Sequence, residues 1–319
     1  MGLGRETEHV RKGGALAQKP GRGTGDPRYP CLVSEFTLRA PPASGVSPSI
    51  RLGRGALELF ARRRLITRFA RRELLAQSRG SALGWLWELL NPLATVLVFT
   101  FVFSVVLQVR WEAAGLAGDT SAFVLMMLAA LVPFTIFSDT LARAPTLLTK
   151  QPTLVTKVVF PIEILPVSTM LVALVPGAVL AGSVVILHAA TSRTISPTIG
   201  LFPLAILPTL LFTLGFAWLV AALGVFLRDI GQLVQIVVGR LLFFLTPIFY
   251  PASAVPAPFN IVLQVNPLTY FVEDARRTLV LGEAIHWPAY AVLLPLSVVV
   301  AALGHAVFIK GKRSYADVL

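Results

Sequence analysis

Cysteine is nearly absent from this chain of 319 residues, with Cys31 standing alone. A single thiol excludes an intramolecular disulfide and any cysteine-ligated metal cluster. Histidine is scarce as well, and His9, His188, His286 and His305 show no ligand spacing, so metal and redox chemistry are not expected. No Walker A loop occurs. The nearest fragment, Gly311-Lys312-Arg313-Ser314, lacks the upstream glycine-rich loop and reads as a basic stop after an apolar run. Neither a Gly-x-Ser-x-Gly elbow nor a His-Glu-x-x-His pair is present. Acids near the apolar stretches (Asp139, Glu163, Glu273, Asp274) are scattered. A membrane-embedded enzyme would converge carboxylates or imidazoles within or beside its spans. Only 14% of residues are charged, and residues 1–50 contain no apolar core of a cleavable signal peptide.

What the chain has instead is long apolar sequence. No charge interrupts the stretch between Glu88 and Arg110, nor 120–138, nor 164–187. Each is as long as a crossing of the hydrocarbon core, which takes roughly 20 apolar residues. A mean hydropathy of +0.75 agrees. The expectation is an all-α integral membrane protein with six transmembrane helices, near 89–109, 122–141, 162–187, 197–227, 230–250 and 288–309. The first is entered by Asn91-Pro92, where proline is tolerated because its missing N–H would be unpaired in a first turn. The fifth is unusual, with Arg240 near its middle and Thr246-Pro247 breaking its far end. Pro251, Pro256, Pro258 and Pro267 follow in a segment too broken for one crossing. It reads as short helices that dip into the membrane or lie on it, between the fifth and sixth spans. Irregular backbone at that depth requires cover from protein or a water-filled cavity.

Charge sets the expected orientation. Of the 28 lysines and arginines, 16 precede Glu88, and most others sit at the ends of apolar stretches. The net charge of +12 therefore reads as a positive-inside bias, and nucleic acid is not an expected partner. With both termini cytoplasmic, the inner face receives the N-terminal arginines, Arg143, Lys150, Lys157, Arg228 and the cluster Lys310, Lys312 and Arg313. The outer face receives only Arg110, Arg193, Arg276 and Arg277. Between Arg63 and Arg72 a basic amphipathic helix is expected to lie in the interface beside anionic lipids. Leu65, Ile66, Phe69 and Ala70 form its apolar arc, opposite Arg63, Arg64, Arg68, Arg71 and Arg72. The resulting division is a disordered cytoplasmic tail at 1–55, the amphipathic helix and approach to the first span at 56–88, a six-span domain at 89–313, and a cytoplasmic tail at 314–319.

Five short signatures occur in order. They are Ser81-Ala82-Leu83-Gly84-Trp85-Leu86-Trp87 with Asn91-Pro92-Leu93 downstream, Lys157-Val158-Val159-Phe160-Pro161, Arg228-Asp229-Ile230, Thr246-Pro247-Ile248-Phe249-Tyr250, and Asn266-Pro267-Leu268-Thr269-Tyr270 with Arg276 beyond. In this order and spacing the chain, from about 62 to 313, resembles the polysaccharide-export permeases of ATP-binding-cassette exporters, the transmembrane subunits that move O-antigen, wall galactan or teichoic acid. It departs from their pattern at Gln77-Ser78, where Arg-Tyr is usual, and at Phe134, where Trp is common.

The resemblance implies a non-catalytic subunit of the bacterial cytoplasmic membrane, forming a homodimer and bound on its cytoplasmic face by a separate ATPase. That partner would hold ATP and Mg, with no cofactor in this chain, and the cargo would be a lipid-linked glycan. Leu147, Lys150 and Lys157 in the basic loop, with Arg68 and Arg71 on the amphipathic helix, would couple to the ATPase. Arg228 and Asp229 would form a cytoplasmic hinge, and Pro247, Tyr250, Asn266, Pro267 and Arg276 an exterior gate. Arg240 sits where a charge needs a counter-charge, water or an anion. A lipid pyrophosphate would suit it, and so would snorkelling or pairing with Asp229 or Asp139. Phe134 is a second candidate for cargo contact, among aromatics that mostly pack. Two other readings stay open: a related permease exporting a drug or lipid, and a membrane-embedded glycosyl- or acyltransferase, which the missing carboxylate or histidine constellation disfavours.

Overall fold

The computed structural model describes residues 61–78, 120–156, 160–193 and 196–318, with Leu59 and scattered positions between 86 and 106. All described residues lie within the unit Pro48–Leu319. Among them every regular element is helical. The tail at 1–55, most of the first expected span and Lys157 lie outside the described residues.

Among the described residues, four helices are long and apolar enough to cross a membrane: Ala122–Thr146, Ile164–Ser192, Pro197–Phe226 and Trp287–Lys310. They coincide with the second, third, fourth and sixth expected spans. In chain order we label α1 (Arg63–Ser78), α2 (Thr120–Arg143), α3 (Ile164–Ser192), α4 (Leu207–Phe226), α5 (Ile230–Ile236), α6 (Asn260–Val265), α7 (Pro267–Arg276), α8 (Trp287–Lys310) and α9 (Lys312–Val318). Proline explains where several are interrupted or begin. Pro133, Pro176 and Pro295 sit inside α2, α3 and α8, a placement that neighbouring helices make tolerable in a membrane. Pro203 and Pro208 occupy the opening turns of Phe202–Ala205 and of α4, so the fourth span enters in segments.

The fifth apolar stretch forms a shorter helix than its sequence length suggests. Its helix runs Ile230–Leu245, about 24 Å at 1.5 Å per residue, against a hydrocarbon core of about 30 Å. Within it, Val237–Leu242 is a π-helical turn. It stops because Pro247 forces the preceding residue out of the helical region, and Thr246 is extended at ψ 136°.

Helix α2 is the centre of the molecule: 78% of its most apolar window is buried, against 22% for α8. Met126, Met127, Ala129 and Ala130 pack with Leu180 and Val184 of α3 and with Ile248, Phe249 and Val272. Towards the other end, Phe137 and Leu141 join Phe212, Trp218, Phe271 and Phe308. Helices α4 and α8 cross at Gly215 and Gly304, where a Cβ on Gly304 would strike the Gly215 carbonyl. Small residues at a crossing let backbones touch, which is how helices gain packing where water offers no hydrophobic drive. Gly224 of α4 meets the Pro145 backbone in the same way.

Helix α1 runs six residues beyond the expected amphipathic stretch, to Ser78. Its apolar arc does not lie free. Ile66 and Ala70 are buried, and Phe69 packs on Phe160 with ring centroids 5.1 Å apart. The arginine face is exposed, and so is Leu75. The arc expected to face lipid is therefore covered by protein at the approach to α3, because Phe160 and the start of α3 offer a closer apolar surface.

Candidate functional site

The basic loop and the amphipathic helix meet around one cleft. After α2 the chain tightens into a 3₁₀ turn at Ala144–Thr146, with Pro145 in its opening position. A bend follows, then the single helical turn Pro152–Thr156. Glu73 and Ala76 of α1 form one wall of a cleft of about 510 Å³, and Arg143, Thr146, Leu147, Lys150 and Gln151 form the other. Arg72 donates to Gln151 Oε1 across it at 3.3 Å, and its guanidinium lies over the Phe69 ring at 4.7 Å. Leu147 is buried and anchors the loop, whereas Lys150 is exposed. Arg68 and Arg71 are exposed on α1.

A second feature locks this face, and sequence reading passed it over. Glu163 accepts from Arg62 Nη1 at 3.3 Å and from Lys312 Nζ at 3.0 Å. Its backbone carbonyl accepts from Trp218 Nε1 at 3.1 Å. One acid so ties the approach to α1, the start of α3, α4 and the start of α9. Helix α9 is itself docked: Tyr315 is fully buried against Phe308 and Phe226, and its hydroxyl donates to the Phe308 carbonyl at 3.0 Å. Burial pushes that phenol up to about 12, so it remains a donor at physiological pH. The final segment, expected as a plain tail, contains this helix.

At the opposite end of the molecule the two proline motifs bond to each other. Asn266 caps α7, its Oδ1 accepting from Leu268 N–H at 3.1 Å, while its Nδ2 donates to Thr246 Oγ1 at 3.2 Å. Pro267 occupies the first turn of α7, where its fixed φ suits the helix. Pro247 is buried. Tyr250 donates its hydroxyl to the Phe244 carbonyl at 2.9 Å, folding the chain back on the end of the fifth helix. Arg276, expected on the exterior side by charge and in the gate by resemblance, is buried to 1% exposure. It donates from Nε to the Met126 carbonyl of α2 (3.2 Å), from Nη2 to the Ile248 carbonyl (2.8 Å), and from Nη1 to Glu273 Oε1 (2.9 Å). Two residues before it, Asp274 is also buried and accepts from the His286 N–H at 3.0 Å. Burial raises its carboxyl, with the His286 N–H and Arg277 pulling the other way.

Arg228 and Asp229 are exposed in the turn between α4 and α5. Arg240 is exposed as well, in the π-helical turn, and has no hydrogen bond or ion pair among the described residues. It lines a cavity of about 630 Å³ with Ser138, Asp139 and Ala142 of α2 and with Gln232, Gln235 and Gly239. Phe134 is elsewhere: among the described residues it is buried, its ring 5.3 Å from that of Phe243. Sequence reading missed Ser138, Gln232 and Gln235, and named Glu163 only as one of several scattered acids. The two glutamines three residues apart in an apolar helix are a signal it had available.

Comparison with known proteins follows the same residues. A family model described as ABC-2 type transporter matches residues 64–280. A protein of Myxococcus xanthus named O-antigen export system permease protein RfbA is 31% identical over 213 residues, covering 66% of this chain and 78% of its own length. A protein of the same name from Klebsiella pneumoniae is 22% identical over 256 residues, covering 80% of this chain and 95% of its own.

Proposed function

Since the chain belongs to the ABC-2 type transporter family, we propose that it is the permease subunit of an ATP-driven exporter carrying lipid-linked polysaccharide of O-antigen, wall galactan or teichoic-acid type across the bacterial cytoplasmic membrane. The similarity to permeases named for O-antigen export carries this reading, because it extends over most of the chain and of each relative. On this proposal six spans cross the membrane with both termini cytoplasmic. The first is formed around 89–109 and the fifth by the short helix Ile230–Leu245. The N-terminal tail, permease domain and C-terminal segment keep the boundaries expected above.

The cleft between α1 and the Leu147–Gln151 bend then faces the cytoplasm. Its exposed Lys150 and the arginines of α1 suit an acidic groove on a separate ATPase, which binds ATP and Mg. Lys157 belongs to the same coupling surface. Two permease copies and two ATPases make the working assembly, and the permease performs no bond chemistry itself. The segment held by Thr246, Asn266 and Arg276 is the exterior gate, and Arg228-Asp229 the cytoplasmic hinge.

Deletion of the gene tests the reading. Surface polysaccharide should disappear while its lipid-linked form accumulates inside the cell, and a plasmid copy should restore export. Normal surface polymer in the deletion strain would refute the cargo assignment. Loss of drug or lipid efflux in its place would assign the permease to the other branch of transport.

A further inference from the structure

Glu163 stands where three elements of the face around the cleft come together. Its backbone carbonyl is fixed to α4 by Trp218 Nε1 at 3.1 Å. Its two carboxylate oxygens are divided. Oε1 takes Arg62, at the approach to α1, at 3.3 Å, and Oε2 takes Lys312, the first residue of α9, at 3.0 Å. The acid is the settled member of the trio, its side chain 13% exposed against 37% for Arg62 and 41% for Lys312. Both elements it holds border the basic loop. Helix α1 forms one wall of the cleft opposite Leu147 and Lys150, and α9 packs against the helical turn Pro152–Thr156 and against α4.

Apolar packing already secures each element by itself, α1 through Ile66, Phe69 and Ala70 and α9 through Tyr315. Ion pairs whose cations are this exposed add little stability. What they add is geometry. An ionised carboxylate only accepts, through either oxygen, so it can serve two cations at once. A glutamine there has one acceptor oxygen and turns its amide donors towards the second cation. One element then loses its hold, and the other keeps a weaker one.

We propose that Glu163 is a positioning residue for energy coupling: its carboxylate joins α1 and α9 into one unit, so that displacement of the coupling surface by the ATPase reaches α4 through Trp218 and Tyr315 as a single movement. This rests on the exporter reading above. The clamp works only while both cations are held, since an element released from Glu163 follows the ATPase alone. Loss of Arg62, of Lys312 or of both should therefore have the same effect, a non-additivity that two independent stabilising bonds would not produce.

The test uses the complete permease–ATPase complex in proteoliposomes, with lipid-linked glycan extracted from the deletion strain as the probe. Glycan moved per ATP hydrolysed is read from its protection against external periodate. Glu163→Gln should lower that ratio several-fold while ATP hydrolysis continues. Arg62→Met, Lys312→Met and the double variant should each lower it by the same factor, and the reversed trio Arg62→Glu, Glu163→Lys and Lys312→Glu should restore most of it. An unchanged ratio in Glu163→Gln, or losses from the two methionine variants that multiply in the double, would overturn the proposal. Should Glu163→Gln fail to assemble, the methionine variants decide. A second readout needs no cargo. Spin labels go on Thr67→Cys and Ser314→Cys, both exposed positions, in Cys31→Ser complexes diluted with unlabelled permease. They should keep one distance in ADP and in trapped ATP, and Glu163→Gln should split it in trapped ATP only. A native distance that changes between the two states, or a Glu163→Gln distance that does not, overturns the proposal as well. A native complex that hydrolyses ATP and moves no glycan retires the export reading, and the label distances then decide on Glu163 by themselves.

Discussion

Replacing Arg276 with methionine removes the side chain that holds the segment between the fifth and sixth spans against α2. The substitution keeps length and apolar volume, so the lost contacts are polar. Two buried carbonyls, of Met126 and Ile248, lose a donor each. The Met126 carbonyl keeps the i+4 amide of its own helix, so the Ile248 carbonyl is the acceptor left unpaired, at about 1–3 kcal/mol. Loss of the Glu273 contact adds little, because that carboxylate is 35% exposed and water replaces the guanidinium. Arg276→Lys retains the charge but has no planar fork to reach two carbonyls at once, and should fall between methionine and the native residue. We expect the melting temperature of the purified complex to drop in the order Arg, Lys, Met, and surface polymer at matched expression to follow that order. An Arg276→Met complex that melts and exports like the native one would refute the reasoning, because the buried Ile248 carbonyl cannot lose its donor at no cost.

Substituting Gly224 with valine should prevent assembly or cost about 1–3 kcal/mol, because its side chain would enter the Pro145 backbone; size-exclusion profiles of detergent-solubilised protein check this. Glu163→Gln should weaken both ion pairs and loosen α9. With Arg62 and Lys312 each more than a third exposed, the stability change should be only about 1 kcal/mol, while trypsin should cut within α9 faster than in the native chain. In a Cys31→Ser background, single cysteines at the exposed Thr149 and Lys150 should crosslink to the ATPase, and one at the buried Leu148 should not. Crosslinking at none of the exposed positions, in a complex that still hydrolyses ATP, would remove the loop from the coupling surface.

The second, third, fourth and sixth expected spans were legible as long apolar helices because composition and length alone decide them, while most of the first lies outside the described residues. The fifth was legible as an apolar run, and its true end at Leu245 follows from Thr246-Pro247, a local rule the sequence displays. The apolar arc of α1 was legible too, but its cover was not, since Phe160 is 91 positions from Phe69. Partnerships across the chain were the harder part. Glu163 looked like one of several scattered acids because its partners lie 101 and 149 residues away. Arg276 was placed on the exterior side by a topological rule that counts charges per loop, and such a rule carries nothing about whether a guanidinium turns inward. The Thr246 and Asn266 motifs were both visible, while the hydrogen bond that joins them twenty residues apart was not.

The contact of Gly215 with Gly304 has a mechanical consequence. Two helices whose backbones touch, with no side chain between them to slide or rotate, share one set of coordinates: α4 cannot tilt without carrying α8. Through Gly224 and Pro145 the same block takes in the bend after α2. Relative motion within this chain is then displaced to its least braced joint. Leu227 leaves the helix in an extended conformation, φ −116° and ψ 105°, and Phe226 to Asp229 are all exposed. The fifth helix starts from that extended joint, yet its Ile230, Val234 and Val238 lie buried in the same core as Phe137 and Leu141, so any change of angle at Leu227 would have to repack the block of α2, α4 and α8 with it.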